Sequence, residues 1–422
     1  MKRGMAICIS ILLFFGIFSN GATAMEVNEK GGGQELPFSD IGNHWAKDNI
    51  IKAYETGLAE GFPGGEFRPD DVVRADQFVV MMLRAHSVTK DGKTQFDPAW
   101  FAQLEKERPG HLKAIKFAVS SEKFQFQNAS SGYWAKPYID FIYEIPFLLS
   151  YDEVFPKEYK VFQKQIKREE ASYLLGAWIS KVEDPYDGEY EALAIKNSGL
   201  KDFSQMKTTS GIYRATVLLS GLMNGYPNQY FYPQRYVTRA EALTMVLRLR
   251  DKTLRKPFKP SLKGKYYIEN NDRIYLHSDK FKHEMYLKFL ELAKKNVTKG
   301  HIFQQGGHAI LIFKNKVDYE KFNYFSLVGD YESRPEDQLA VDVSYGNHRA
   351  VGFSFPVQSK FEVSEGYTNA LYELLAGVGK GNELKKKLLS LIEEGNTKDF
   401  IFNGKKFTFM AATERYYLHL NY

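Results

Sequence analysis

The stretch FSDIGNHWAKDNIIKAYETGLAEGFPGGEFRPDDVVRADQFVVMMLRA, residues 38–85, decides how this chain is read. Trp45 to Thr56 has the pattern of a helix ended by Gly57, with Asp40 or Asn43 ahead of it as a cap. Gly61 to Pro69 holds three glycines and two prolines, the composition of a tight, ordered loop. A second helix follows, with Ala75, Phe78, Val79, Met82 and Leu83 at spacings of three, four, seven and eight. Helix, glycine loop and helix make one unit whose apolar stripe must be covered by something else.

The plan recurs twice downstream, more loosely. Tyr133-Trp134-Ala135 matches His44-Trp45-Ala46, and Ile139 follows its Trp by five as Ile50 does. Phe155-Pro156 and Lys167-Arg168-Glu169-Glu170 parallel the loop and second helix, with Pro146 and Ser150 near the places of the two glycines. In the third copy, Gly221, Gly225, Phe231, Pro233 and Thr238-Arg239-Ala240-Glu241 follow the order of Gly57, Gly61, Phe67, Pro69 and Val73-Arg74-Ala75-Asp76. Its first half, near Phe203, has no tryptophan.

These residues resemble the S-layer homology (SLH) domain. FSDI, HWA, the glycine loop and VRAD in copy one, with TRAE in copy three, look like its signature, and the resemblance runs from Phe38 to about Arg250. It implies a mainly α-helical pseudo-threefold trimer of helix-loop-helix repeats with grooves between its prongs. It also implies a partner on Gram-positive cells: a secondary cell-wall polysaccharide carrying a pyruvylated amino sugar, often N-acetylmannosamine.

The chemistry of that partner suits the residues. A pyruvate ketal places a carboxylate on a neutral sugar, so its reader needs a fixed cation and an apolar platform. Arginine offers a planar fork that takes a carboxylate in two hydrogen bonds, and a tryptophan face packs on sugar C–H groups. Glycine lets backbone N–H groups approach closely. Copy one supplies Asp40, Trp45, Arg74 and the loop starting at Gly61. The others supply Trp134 with Arg168, and Arg239 with Gly225. Copy one's arginine is expected to lead, with one or two working grooves in all. Each residue also has a plainer role: a tryptophan packs under a helix, an arginine pairs at a helix end, and Asp40 caps.

Ahead of the repeats, Lys2 and Arg3 precede an apolar run from Met5 to Phe18, and Ala22-Thr23-Ala24 supplies small residues for cleavage before Met25. Residues 1–24 therefore read as a signal peptide. Its removal would take away Cys8, the one cysteine, which excludes disulfide scaffolds and cysteine zinc sites. The chain reads as secreted and held at the cell wall. With 422 residues, about three domain-sized units are expected. A net charge of +6 is too small and too dispersed for a nucleic-acid binder, and no second long apolar run suggests a membrane span.

The expected divisions are 36–90 for repeat one, 91–132 for a helical insertion, 133–185 for repeat two and 200–250 for repeat three. A basic linker at 251–265 then leads to an α+β domain over 266–422. Within it, Asn403-Gly404 between Phe400-Ile401-Phe402 and Phe407-Thr408-Phe409 is the strongest hairpin signal. Gly346-Asn347 marks another, and helices are expected at Lys280–Lys295, Tyr367–Leu375 and Leu384–Ile392. No cofactor is implied. His301, His308 and His348 have no metal-ligand spacing, and Glu332, Glu336, Asp337 and Asp342 read first as a solvated charged loop. The favoured reading is a wall-bound protein displaying a non-catalytic interaction domain. The alternative is a wall-anchored glycan or peptidoglycan hydrolase with its catalytic groups beyond Lys265.

Overall fold

A computed structural model describes residues 36–90, 93–107, 112–113, 115–116, 126, 132–145, 148–149, 153–183, 185–207, 211–297, 301–328, 339–343, 349–357 and 365–422. The signal-peptide segment, half of the 91–132 insertion, Pro146, Ser150 and the Gly346-Asn347 turn lie outside them. The chain forms two compact units. Of the described residues, the first takes those within 1–108, 114–183 and 198–259; the second takes those within 109–113, 184–197 and 260–422.

The first unit is helical. The opening copy gives α1 (Lys47–Glu55) and α2 (Ala75–Arg84). A hairpin follows, β1 (Ser87–Lys90) with β2 (Lys93–Phe96), then α3 (Pro98–Glu107). The second copy gives α4 (Lys136–Glu144), the short α5 (Tyr159–Phe162) and α6 (Arg168–Val182). The chain then passes through α7 (Gly188–Asn197), which belongs to the second unit, and returns for α8 (Arg214–Leu219) and α9 (Arg239–Arg250). Helix α1 is shorter than its periodicity predicts, and its cap is Ala46, with no side-chain hydrogen bond.

The three second helices α2, α6 and α9 begin alike. Their N-caps are Arg74, Lys167 and Thr238. Three residues on, the side chains of Gln77, Glu170 and Glu241 accept the cap N–H at 2.9, 2.7 and 3.1 Å, satisfying a donor that the helix leaves open. The residues just before these caps close a ring. Val73 N–H donates to Val237 O, Val237 N–H to Ile166 O, and Ile166 N–H to Val73 O, each at 3.0 Å. Three segments far apart in sequence thus satisfy one another's buried backbone groups.

That ring corrects the sequence alignment by one residue. Val73 pairs in role with Val237, so Arg74 corresponds to Thr238, and the counterpart of Arg239 is Ala75. The second copy fits the same register, with Arg168 at the Arg239 place.

Residues 251–259 are less free than a linker. Arg255 forms a two-pronged ion pair with Glu183 at 2.8 and 3.0 Å, and the N–H groups of Lys256 and Phe258 donate to Gly221 and Leu218 carbonyls. A Cβ on Gly221 would stand 2.5 Å from the Lys256 backbone, so this strap requires glycine there.

The second unit is α+β. Its seven-stranded antiparallel sheet has the order β5-β6-β7-β8-β11-β10-β9. The strands are β5 (Ile302–Gln305), β6 (Ala309–Phe313), β7 (Leu339–Asp342), β8 (Ala350–Pro356), β9 (Lys398–Phe402), β10 (Lys405–Ala411) and β11 (Arg415–Asn421). A separate hairpin joins β3 (Tyr266–Asn270) to β4 (Arg273–His277). The helices are α10 (Lys280–Asn296), α11 (Lys316–Val328), α12 (Glu365–Ala376) and α13 (Gly381–Glu394). Alternate residues of the sheet, among them Ile310, Val341, Phe353, Phe407 and Leu418, share one core with Tyr286, Phe289, Leu371 and Leu388 of the helices. Asn403 and Gly404 take φ of 46° and 73°, the left-handed pair that a two-residue hairpin turn needs.

Candidate functional site

Arg239 is the first residue of α9, yet its side chain works in the loop of the opening copy. Its Nη2 donates to the Glu60 carbonyl, and its guanidinium lies 4.8 Å from the Phe62 ring centre and 4.5 Å from that of Phe67. Its backbone N–H is fixed on Asp71 O at 2.8 Å. Burial pushes this guanidinium down to about 10, which leaves it cationic at neutral pH. Around it opens a small cleft lined by Gly61, Phe62, Gln77, Arg84, Trp134 and Arg239. Cation, aromatic faces and amide come from all three copies.

Arg168 repeats this arrangement against the loop of the third copy. Its Nε donates to Phe231 O at 2.8 Å and its Nη2 to Asn224 O at 3.2 Å, with the Tyr226 and Phe231 rings 4.7 and 4.9 Å away. This place also holds a carboxylate. Glu241 lies 3.7 Å from Arg168 Nη1 and is gripped by Tyr226 and Arg235. Burial raises Tyr226 to about 12, so it stays a hydroxyl donor to Glu241. Where the opening copy's helix would offer a third arginine, it has Ala75.

The expected partnerships within each copy therefore become partnerships between copies. Trp134 and Gly61 share a cleft with Arg239, while Arg168 meets the loop that contains Gly225. Arg74 stands elsewhere: its Nε and Nη2 hold the carboxylate of fully buried Asp76 at 3.0 and 3.1 Å, with Tyr133 as a third donor at 2.7 Å. Asp40 caps the loop rather than α1, accepting the N–H groups of Phe67 and Arg68 at 2.8 and 2.7 Å. Asp202 does the same for Phe231 and Tyr232, both at 2.7 Å. Trp45 is 63% exposed beside His44. The glycines admit neighbouring side chains: a Cβ on Gly61 would stand 2.2 Å from Phe38 Cε1, and one on Gly225 the same distance from Leu200 Cδ2.

The aromatic seats Phe62 and Tyr226 were not singled out from sequence. The signal was present, since each lies between glycine and proline in Gly61-Phe62-Pro63 and Gly225-Tyr226-Pro227.

Residues 37–74 and 218–243 match the family described as S-layer homology domain. The chain carries S-layer homology repeats. No curated protein matches it. S-layer homology domains bind cell-wall polymers, and the chain is thereby associated with a cell surface or cell wall. No helix among the described residues is long and apolar enough to cross a membrane.

In the second unit, of the expected histidines and carboxylates, only His301, His308 and Asp342 fall among the described residues. His308 Nε2 lies 2.7 Å from Asp187 Oδ2, and Asp342 lies 3.8 Å from His419 Nε2, on the opposite face of β7 from its core residue Val341. Glu332, Glu336, Asp337 and His348 lie outside the described residues.

Proposed function

We propose that the first unit is a wall anchor in which the three repeats stand about a pseudo-threefold axis and the cleft of Arg239 and Trp134 grips an anionic secondary cell-wall polysaccharide. The observation that carries this reading is the seating of Arg239: a desolvated, permanently charged fork at the base of an open cleft with an aromatic wall. A carboxylate on a sugar, such as a pyruvate ketal, matches both features. The fork takes the two oxygens, and Trp134 takes the apolar sugar face. The Arg168 place is the second candidate. The place of Ala75 has no guanidinium, so two binding clefts are expected at most. Secretion by way of the amino-terminal segment, and display of the second unit as an interaction domain, complete the reading.

The test is co-sedimentation of the full chain with isolated Gram-positive cell walls, before and after chemical removal of the secondary polysaccharide. Binding that disappears with the polysaccharide, and competition by a pyruvylated amino sugar but not by its unsubstituted form, is the expected result. Equal binding to stripped walls would overturn it.

A further inference from the structure

His277 ends β4 and His283 lies in the first turns of α10, and their Nδ1 atoms face each other at 3.2 Å. The other nitrogen of His277, Nε2, is 3.0 Å from Gly307 O. A carbonyl only accepts, so the ring proton sits on Nε2 and Nδ1 accepts the Nδ1–H of His283, a hydrogen bond that an arriving cation replaces by taking both lone pairs and releasing that proton. A backbone carbonyl holding the far N–H is the support that metal-bound imidazoles commonly have. Two imidazole nitrogens on one tetrahedral zinc ion, each about 2.0–2.1 Å from it, stand about 3.3 Å apart.

The backbone fixes this pair. Between the two histidines the chain turns through Ser278 and Asp279. Asp279 Oδ1 caps α10 by accepting the Lys282 N–H at 2.9 Å, and its Oδ2 accepts the Tyr422 hydroxyl at 2.7 Å. Strand and helix are thus locked where the two rings approach. His277 is buried, while His283 is half-buried and open to an arriving ion.

We propose that His277 Nδ1 and His283 Nδ1 form a two-imidazole site for a divalent cation of the zinc class, oriented by the Gly307 carbonyl. No cluster of three or more histidine, cysteine or carboxylate ligands occurs among the described residues. The ion therefore keeps its remaining positions for water or an external donor, as an open rather than a closed site.

The test is isothermal titration of the chelator-treated full chain with Zn²⁺ at pH 7.5. The expected result is one site of micromolar affinity, weakened at least tenfold in His283→Ala and unchanged in His301→Ala. Zn²⁺ should also raise the melting temperature of the wild-type chain but not that of His283→Ala. Absence of Zn²⁺ binding, retention of it in His283→Ala, or an equal response to Mg²⁺ would each overturn the proposal.

Discussion

Arg239 and Phe67 lie in repeats at opposite ends of the first unit's sequence, and the guanidinium of one stands 4.5 Å from the ring centre of the other. A cation seated on an aromatic face keeps its charge while losing most of its water, which strengthens any later bond to a carboxylate. Arg239→Ala is expected to weaken wall binding by about 10- to 100-fold, the scale of a lost charge-assisted bond. Arg168→Ala should have a smaller effect, because Glu241 already shares that guanidinium.

Arg74→Ala should act on stability instead. It leaves the buried Asp76 carboxylate with fewer donors, a cost of about 2 kcal/mol. Urea midpoints and wall co-sedimentation of the same variant separate the two effects. A large binding loss at unchanged stability would contradict the placement of Arg74.

Asp202 and Asp40 each hold a loop by two backbone N–H groups, but Asp202 is buried and Asp40 is exposed. Asp202→Ala strands two donors away from water and should cost about 3 kcal/mol, against about 1 kcal/mol for Asp40→Ala. Thermal denaturation of the two variants checks the order.

Gly61→Ala forces a methyl group against Phe38 Cε1. Phe38 is itself packed on Phe67, under the guanidinium of Arg239. The substitution should cost about 1–3 kcal/mol and weaken wall binding by displacing the loop. Full binding at full stability would show that the loop yields freely.

Two histidines make stability pH-dependent. Burial holds His86, stacked on Trp100 at 4.3 Å, down to about 3, and His277 down to about 4. Unfolded, both titrate near 6.5. Their contribution is complete above that pH and is lost as pH falls from 6.5 toward 4, where the unfolded chain takes up protons that the folded chain refuses. Each accounts for on the order of 3 kcal/mol. His86→Phe should flatten the acid side of the curve, measured as urea midpoints at pH 7.5, 6 and 5.

Much of the fold was legible because local signals agreed with tertiary ones. Asn403-Gly404 fixes its hairpin by backbone sterics alone, and the stripe Ala75, Phe78, Val79, Met82, Leu83 fixes α2. The site was less legible. Reading VRAD against TRAE favours matching arginine to arginine, yet the hydrogen-bond ring aligns Val73 with Val237 and puts Arg74 at a cap. Pairing Trp134 with Gly61 and Arg239 depends on contacts between copies, which no spacing within one copy reveals. Helix α7 was missed for the same reason: its Tyr190 and Ala194 are buried, and the helix packs on β4, far downstream in the sequence.

Helix α7 also sets an order of events during synthesis. It leaves the ribosome before the third repeat, but β4, whose Leu276 N–H donates to Asp187 at the head of that helix, is made only after it. Until β4 is made, the face of α7 that packs on it lacks that partner. A chain terminated after Lys259 would keep that helix and never receive the strand that shelters it. Such a truncation should therefore aggregate more readily than one that also loses residues 185–197.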